Sequence, residues 1–249
     1  MKNRNRAIAP VIIAFILIVA IVAAGAVVYI VVIAPKPGPG PGPGPSGFQI
    51  TEIENYGDLV NYVSHIKYQW TSFEGGVTSI GTITFDDTGI DEMISGVLCR
   101  KFSLVITSDG ETHSMTGWVS KSDWTTLKKL IYDDEEILEE YLSTYSWAIG
   151  AIVFLPYVTF FAWNIAWTQV PSDVGTLTSM GSEPRTYGAT PMTVYKWRFT
   201  PNPANPEFED LSSIDVWQGQ TGNYYLFTYL EATKTNGDYF RFELVELTT

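Results

Sequence analysis

The sequence is poor in the residues that most often carry chemistry. It has one cysteine, Cys99, and two histidines, His65 and His113. A single cysteine excludes an intramolecular disulfide, and its place in the alternating apolar stretch GVLCRKFSLVI is typical of a small buried hydrophobe. The sequence contains no zinc-type Cys/His pair, HExxH motif, Gly-rich phosphate loop or GxSxG elbow. We therefore expect no enzyme, no cofactor and no metal site.

Basic residues are scarce in most of the chain. There are 15 Lys and Arg against 27 Asp and Glu, which gives a formal net charge of −12. Lys2, Arg4, Arg6 and Lys36 precede every acidic residue, so the rest of the chain has eleven basic against twenty-seven acidic residues, a balance of about −16. Because clustered Lys and Arg are needed to bind phosphates, this balance argues against nucleic acid as a partner.

The opening segment carries a long uncharged run. From Ala7 to Ala34 no residue is charged, and a helix of this length would span roughly 42 Å, against a hydrocarbon core of about 30 Å. The run is also longer than the apolar core of a cleaved secretory signal. The basic residues on its amino side would place the N-terminus in the cytoplasm and the remainder outside. These features predict a membrane-anchored protein whose C-terminal domain lies outside the cell.

The stretch NRAIAPVIIAFILIVAIVAAGAVVYIVV resembles the N-terminal segment of archaeal type IV pilins and pilin-like proteins. The match consists of Arg6 and Ala7 followed by Ile8, Ala9 and Pro10, with Ala9 where serine is common in that family. Proline is tolerated in the first turn of a helix, as the family pattern requires. The resemblance implies cleavage between Ala7 and Ile8 and possible self-assembly into a filament. A plain signal anchor that holds the chain in the membrane is the alternative.

These patterns divide the chain into four parts. They are a basic leader at 1–7, a transmembrane or pilin-type helix at 8–34, a Pro-Gly linker at 35–47 and an extracytoplasmic domain at 48–249. The linker PKPGPGPGPGPSG can form neither helix nor sheet, because proline removes backbone donors and glycine adds conformational freedom. Its predicted role is to hold the domain away from the membrane or cell envelope.

The outer domain is predicted to be an α+β fold, with a mostly antiparallel curved sheet and inserted helices. Stretches such as GVTSIGTITFDD and TPMTVYKWRFTP alternate apolar and polar residues, and DDTG, SDG, Gly222-Asn223 and Asn236-Gly237 predict turns. A short helix is predicted from the apolar residues of the segment 59–66. The stretch SKSDWTTLKKLIYDDEEILEEYLSTY predicts a longer one capped by Ser122, with one apolar face formed by Trp124, Leu127, Ile131, Leu138, Tyr141 and Leu142.

The acidic run Asp133–Glu136 lies inside that longer predicted helix. Consecutive carboxylates on a helix point in different directions, whereas a calcium loop needs spaced oxygen ligands and a turn-forming glycine. The run is therefore interpreted as a solvated face.

Residues 147–167, WAIGAIVFLPYVTFFAWNIAW, form a second strongly apolar stretch. Pro156, Asn164 and the lack of flanking basic residues argue against a second membrane crossing. A buried core element, a cavity lining, a surface that contacts lipid or a partner, and a second membrane segment all remain open. The aromatic residues of this stretch are the candidate apolar pocket or partner surface: Trp147, Phe154, Phe160, Phe161, Trp163 and Trp167.

The order of strands, helical insertion and strands resembles the half-barrel folds of lipoprotein-carrier (LolA-like) and lipoprotein-sorting proteins. The stretch SIDVWQGQTGNYYLFTYL is similar in style to the late strands of that family. The resemblance implies a curved sheet around apolar helices that carries acyl chains. Two functions follow from the sequence. The first is a non-enzymatic cell-surface protein, either a pilin-like subunit or a tethered surface domain, and the alternative is a membrane-anchored carrier of an apolar, lipid-like ligand.

Overall fold

A computed structural model describes residues 56–143, 145–146, 172–221 and 224–249. The described helix is α1, Tyr56–Val60, and two 3₁₀ turns cover Glu139–Tyr141 and Pro206–Phe208. The described strands are β1 (His65–Glu74), β2 (Val77–Ile94), β3 (Val97–Ser108), β4 (Glu111–Ser120), β5 (Leu127–Tyr132), β6 (Glu135–Glu136), β7 (Gly175–Tyr187), β8 (Thr190–Pro201), β9 (Leu211–Thr221), β10 (Tyr224–Lys234) and β11 (Tyr239–Thr248).

All eleven strands belong to one antiparallel sheet made of two meanders. The order is β6-β5-β4-β3-β2-β1-β11-β10-β9-β8-β7. Strands β1–β6 form the first meander and β7–β11 form the second. The meanders are joined by β1 and β11, where Trp70 lies opposite Phe242 and Tyr68 lies opposite Leu244. The first and last strands of the described chain therefore lie side by side at the centre of the sheet.

Tight turns set the register of the hairpins in the first meander. Both turn residues have positive φ in four hairpins, as a type I′ turn requires. These pairs are Gly75-Gly76, Ser95-Gly96, Asp109-Gly110 and Asp133-Asp134. A type I′ turn matches the right-handed twist of its flanking strands, so each hairpin closes with two residues and a defined register.

The core of the first meander lies on the face covered by α1. Phe85, Leu104 and Leu130 are buried there, and Leu59 of α1 is only 1% exposed. The ring of Tyr56 lies 5.8 Å from that of Phe85 and also contacts the rings of Phe102 and Trp124. The aromatic side chains of the helix and the loop before β5 therefore fill the face of this meander.

One close approach in the core requires a residue without a side chain. Trp70 of β1 lies opposite Gly81 of β2, and its indole ring extends over that glycine. A β-carbon on Gly81 would lie 2.3 Å from the Trp70 ring and 2.4 Å from the carbonyl oxygen of Thr107. The large aromatic side chain can therefore be buried in the middle of the sheet only next to glycine.

The predicted α+β class is wrong, because the described fold is almost entirely antiparallel sheet. The segment interpreted as a helix from Ser122 contains β5, β6 and one 3₁₀ turn. A register shift between Trp118 and Val119 leaves Lys128 as an extra residue in β5, so Leu127 and Leu130 are both buried although they lie three positions apart. A β-bulge of this kind reproduces helical spacing in a strand.

The other local predictions have mixed outcomes. The helix at the start of the domain is limited to α1, and Ile66 lies in β1. The DDTG stretch is not a turn but an irregular part of β2, where the register with β3 shifts between Asp87 and Asp91. The SDG and Asn236-Gly237 turns are confirmed. Gly222-Asn223 lies outside the described residues.

The prediction of a membrane-anchored, pilin-like protein is also corrected. Over the described ranges, no helix has both the length and the apolar character needed to cross a bilayer, and no helical pilin fold is present there. The leader at 1–7, the helix predicted at 8–34 and the linker at 35–47 lie outside the described residues, as does the predicted cleavage site Ala7/Ile8.

We expect Gly81→Ala to destabilise the protein by roughly 1–3 kcal/mol, because the added methyl group overlaps the Trp70 ring and a backbone oxygen. Urea unfolding followed by tryptophan fluorescence measures the change. Thr82→Ala, one position along the same strand and less buried, is the matched control and should have a much smaller effect. Equal stability of Gly81→Ala and the parent would contradict the close approach.

The hydroxyl of Tyr56 is buried and makes no hydrogen bond to any of the described residues. Burial, and secondarily the Asp87 carboxylate, raises the pKa of Tyr56 far above its ordinary value, so the hydroxyl stays protonated. Because an unpaired buried hydroxyl costs free energy, we expect Tyr56→Phe to be neutral or to stabilise the protein by about 1 kcal/mol. Thermal unfolding at neutral pH checks this, and a clear loss of stability would show that the hydroxyl has a partner.

Candidate apolar binding face

An uninterrupted apolar row crosses the centre of the sheet. In register, it runs from β8 through β9, β10 and β11 to β1 and consists of Trp197, Val216, Leu230, Phe242 and Trp70. A second row lies beside it on the same face, one pleat along each strand, and consists of Leu177, Phe199, Ile214, Ala232 and Phe240. We call these ten side chains the apolar face. None of them is charged or contains a hydroxyl group.

Burial is uneven over the apolar face. Val216, Phe199, Phe242 and Trp70 are buried, whereas the other six members are half-buried. Phe208 covers part of Phe199, with the two rings 5.9 Å apart and nearly perpendicular. By contrast, the core face of the first meander contains the side chains of α1. The half-buried members Ile214, Leu230 and Phe240 pack against the buried core and keep part of their surface exposed.

The opposite face of the second meander is charged. Arg198 makes a bidentate pair with Asp215 at 2.6 and 2.7 Å, and Arg241 binds the Glu231 carboxylate at 2.6 Å. Glu183 pairs with Lys196 and with Arg185. The alternation of side chains along each strand thus separates an apolar face from a solvated, charge-balanced one.

Aromatic rings take part in this charged face as well. Trp217 and Tyr229 stack with centroids 4.1 Å apart, and the Arg185 guanidinium lies 4.3 Å from the Trp217 ring. Lys196 lies 4.7 Å from the same ring. These cation–π contacts account for the two aromatic residues on the outer side of the sheet without a ligand.

One end of the second meander folds back toward the first strand pair. The Thr190 hydroxyl donates a hydrogen bond to the carbonyl oxygen of Leu247 at 3.0 Å, and the Tyr68 hydroxyl donates to that of Phe227 at 2.7 Å. Burial raises the pKa of Tyr68 well above its ordinary value. The tip of the β7–β8 hairpin therefore contacts β11, and the second meander is curled at this end.

The two histidines contact carboxylates away from the apolar face. His65 Nδ1 lies 2.6 Å from Asp86, while its Nε2 makes no hydrogen bond and lies 3.5 Å from the Glu246 carboxylate. His113 Nδ1 lies 2.7 Å from Asp133, and its ring stacks on Tyr132. Within the described ranges, neither imidazole has a hydroxyl or thiol partner, and no group of three or more His, Cys, Asp or Glu residues could hold a metal ion.

The acidic run interpreted as a solvated helix face has a different role. Asp133 and Asp134 form a tight turn, and the Asp133 carboxylate accepts hydrogen bonds from the Ser114 amide and pairs with His113. Glu136 pairs with Lys129. The run is solvated, as expected, but it closes a hairpin.

The candidate pocket residues from the sequence all fall outside the described residues: Trp147, Phe154, Phe160, Phe161, Trp163 and Trp167. The sequence analysis did not identify the apolar face as a site. Alternation in TPMTVYKWRFTP places Trp197 and Phe199 on one side of a strand, which is the only signal that could have indicated them. Their alignment with Ile214 and Leu230 depends on strand register.

No model of a known protein family matches the chain, and no curated protein matches it. Among solved structures, similarity is found to MucB in complex with MucA(peri), with 12% identity, a TM-score of 0.31 and coverage of 75% of this chain and 50% of that chain. The chain thus spans half the length of that protein.

A DUF1329 family protein from Desulfovibrio piger is similar over 76% of this chain and 87% of its own, with 10% identity and a TM-score of 0.29. Neither similarity is close enough to establish a shared fold or a function.

Burial, followed by the neighbouring Glu231 carboxylate, raises the pKa of Tyr229 to about 12. An unfolded tyrosine ionises near pH 10, so the folded state binds more protons than the unfolded state between these values, and stability falls as the pH rises. We expect the parent to lose more stability than Tyr229→Phe between pH 9 and pH 11. Urea unfolding at both pH values measures this, and parallel losses would contradict the shifted pKa.

Proposed function

We propose that the protein binds an apolar, lipid-like ligand against the apolar face and acts as a carrier without catalysing a reaction. The observation that supports this is the apolar face itself, two uncharged rows across neighbouring strands whose members are in part half-buried. Ligand pockets are typically lined by apolar and aromatic side chains of this kind.

The dimensions and chemistry of the face suit a hydrocarbon chain. Five neighbouring strands span roughly 19 Å across the sheet, which is the length scale of a fatty acyl chain. Each CH₂ group removed from water contributes about 0.8 kcal/mol. Since the rows contain no charged side chain, affinity would come from contact area, and selectivity from the length and bulk of the chain.

The absence of catalysis is part of the proposal. Both histidines pair with carboxylates, and Cys99 is buried. Burial raises the pKa of the Cys99 thiol, which disfavours the reactive thiolate. The ligand would accordingly leave unchanged.

The test uses a photoactivatable fatty alcohol bound to the full chain, followed by irradiation and peptide mass spectrometry. Adducts are expected on peptides of β8, β9, β10 and β11, because these strands supply most of the apolar face. A competing unlabelled fatty alcohol should remove them. Adducts confined to other segments of the chain, or none, would overturn the proposal.

Variants localise the effect. Ala232→Trp fills the face with a bulky, uncharged and largely apolar ring, so we expect labelling of the four strands to fall at least about tenfold while the protein stays folded. Ile80→Trp, at an exposed position on the other side of the sheet, is the matched control and should label as the parent does. Thermal unfolding verifies both variants, and equal labelling of Ala232→Trp and the parent would contradict the assignment.

A further inference from the structure

The hairpin between β2 and β3 ends in an apolar tip. Strand β2 extends to Ile94 and β3 begins at Val97, with the turn Ser95-Gly96 between them. No residue from Met93 to Cys99 is charged. We call residues 93–98 the hairpin tip.

Both sides of the hairpin tip are apolar. Met93 lies opposite Leu98, and the next pair, Ile94 and Val97, points to the other side of the hairpin. Met93 is 63% exposed, and Leu98 and Ile90 are each 46% exposed. A hairpin that docks in a protein groove needs only one apolar side. Insertion into the hydrocarbon of a lipid layer removes both sides of the hairpin from water.

The base of this hairpin has a balanced charge in an acidic domain. Asp91 binds Arg100 at 2.9 Å and Lys121 at 2.5 Å. Lys101 and Lys129 lie 5.3 and 5.2 Å from the Trp118 ring, whose Nε1 donates to Glu92. Five of the eleven basic residues of the domain lie here or in β5, which is separated from the hairpin by β4: Arg100, Lys101, Lys121, Lys128 and Lys129.

The rest of the domain, taken together, carries a strong net negative charge. Five acidic residues lie near the same base, Asp87, Asp91, Glu92, Asp123 and Glu136, which leaves six basic against twenty-two acidic residues elsewhere after the linker. An anionic surface is therefore repelled less at the hairpin than by the rest of the domain taken as a whole. Cations beside an apolar tip are also the arrangement that favours contact with lipid headgroups and acyl chains together.

We propose that the hairpin tip inserts into the apolar zone of a lipid surface, with the lysines and Arg100 at headgroup level. The contact is peripheral and reversible, and it involves neither the N-terminal run nor the apolar face. If the tip does not insert, the proposed carrier function is unaffected. If the carrier function is wrong, insertion of the tip is likewise unaffected.

A probe at the tip tests this locally in the full chain. Cys99→Ala removes the buried thiol, and Met93→Cys then accepts an environment-sensitive NBD label. Adding phosphatidylcholine vesicles, with or without phosphatidylglycerol, should raise its emission several-fold with a blue shift, and spin-labelled acyl chains should quench it. Val77→Cys, at the opposite end of β2 and 67% exposed, is the matched control and should stay in water.

Substitutions at the tip complete the test. Met93→Ser with Leu98→Ser, measured through a label at Ile94→Cys in the same background, should weaken vesicle binding at least about tenfold. Val77→Ser with Ile80→Ser should not change it. Thermal unfolding confirms that each variant is folded.

Three results would overturn the proposal. The label at position 93 could remain in water when vesicles are added, or the labels at 93 and 77 could respond equally. The emission at 93 could also rise with protein concentration in the absence of vesicles, which would identify the tip as an interface between copies of this chain.

Discussion

Pairing of β1 with β11 is the contact on which the rest of the described structure depends. It joins residues 166 to 183 positions apart, from Phe73 opposite Tyr239 to His65 opposite Thr248. Without it, the two meanders would be separate sheets, each with an additional open edge. Contacts of such sequence separation carry a large loop-closure cost, which is offset here by the burial of Trp70, Phe242 and Leu244 between the strands.

The same pairing creates the division between the faces. Because side chains alternate along a strand, a register that opposes Trp70 to Phe242 also aligns Leu230 and Val216 with them. A shift of one residue at β11 would turn Arg241 and Glu243 toward the apolar side. The charged residues of the outer face therefore disfavour any other register, because a shift would move their charges out of water. Individual surface ion pairs contribute little stability by themselves.

Some elements of the fold were predicted correctly from local sequence signals, and others were predicted wrongly. The alternation in TPMTVYKWRFTP indicated β8, and the SDG turn indicated the hairpin between β3 and β4, because both are local signals. The helix from Ser122 was wrong because a bulge places Leu127 and Leu130 on one side of β5. Buried apolar residues three positions apart are compatible with a helix or with a bulged strand, and only the pairing of the strand distinguishes the two. The candidate apolar face was missed for a related reason, since its members come from six strands.

Residue identity and local pattern alone account for the scarcity of chemically reactive residues, the acidic balance and the strand-forming pattern of residues 48–249. These properties depend on residue identity or on neighbours a few positions away, where steric and hydrogen-bonding preferences act directly. Pairing between distant strands makes the described domain a single sheet with β1 and β11 at its centre, and it places Trp197, Ile214 and Leu230 on one face. The local sequence of a strand does not specify which distant strand it pairs with, because every strand offers the same backbone donors and acceptors.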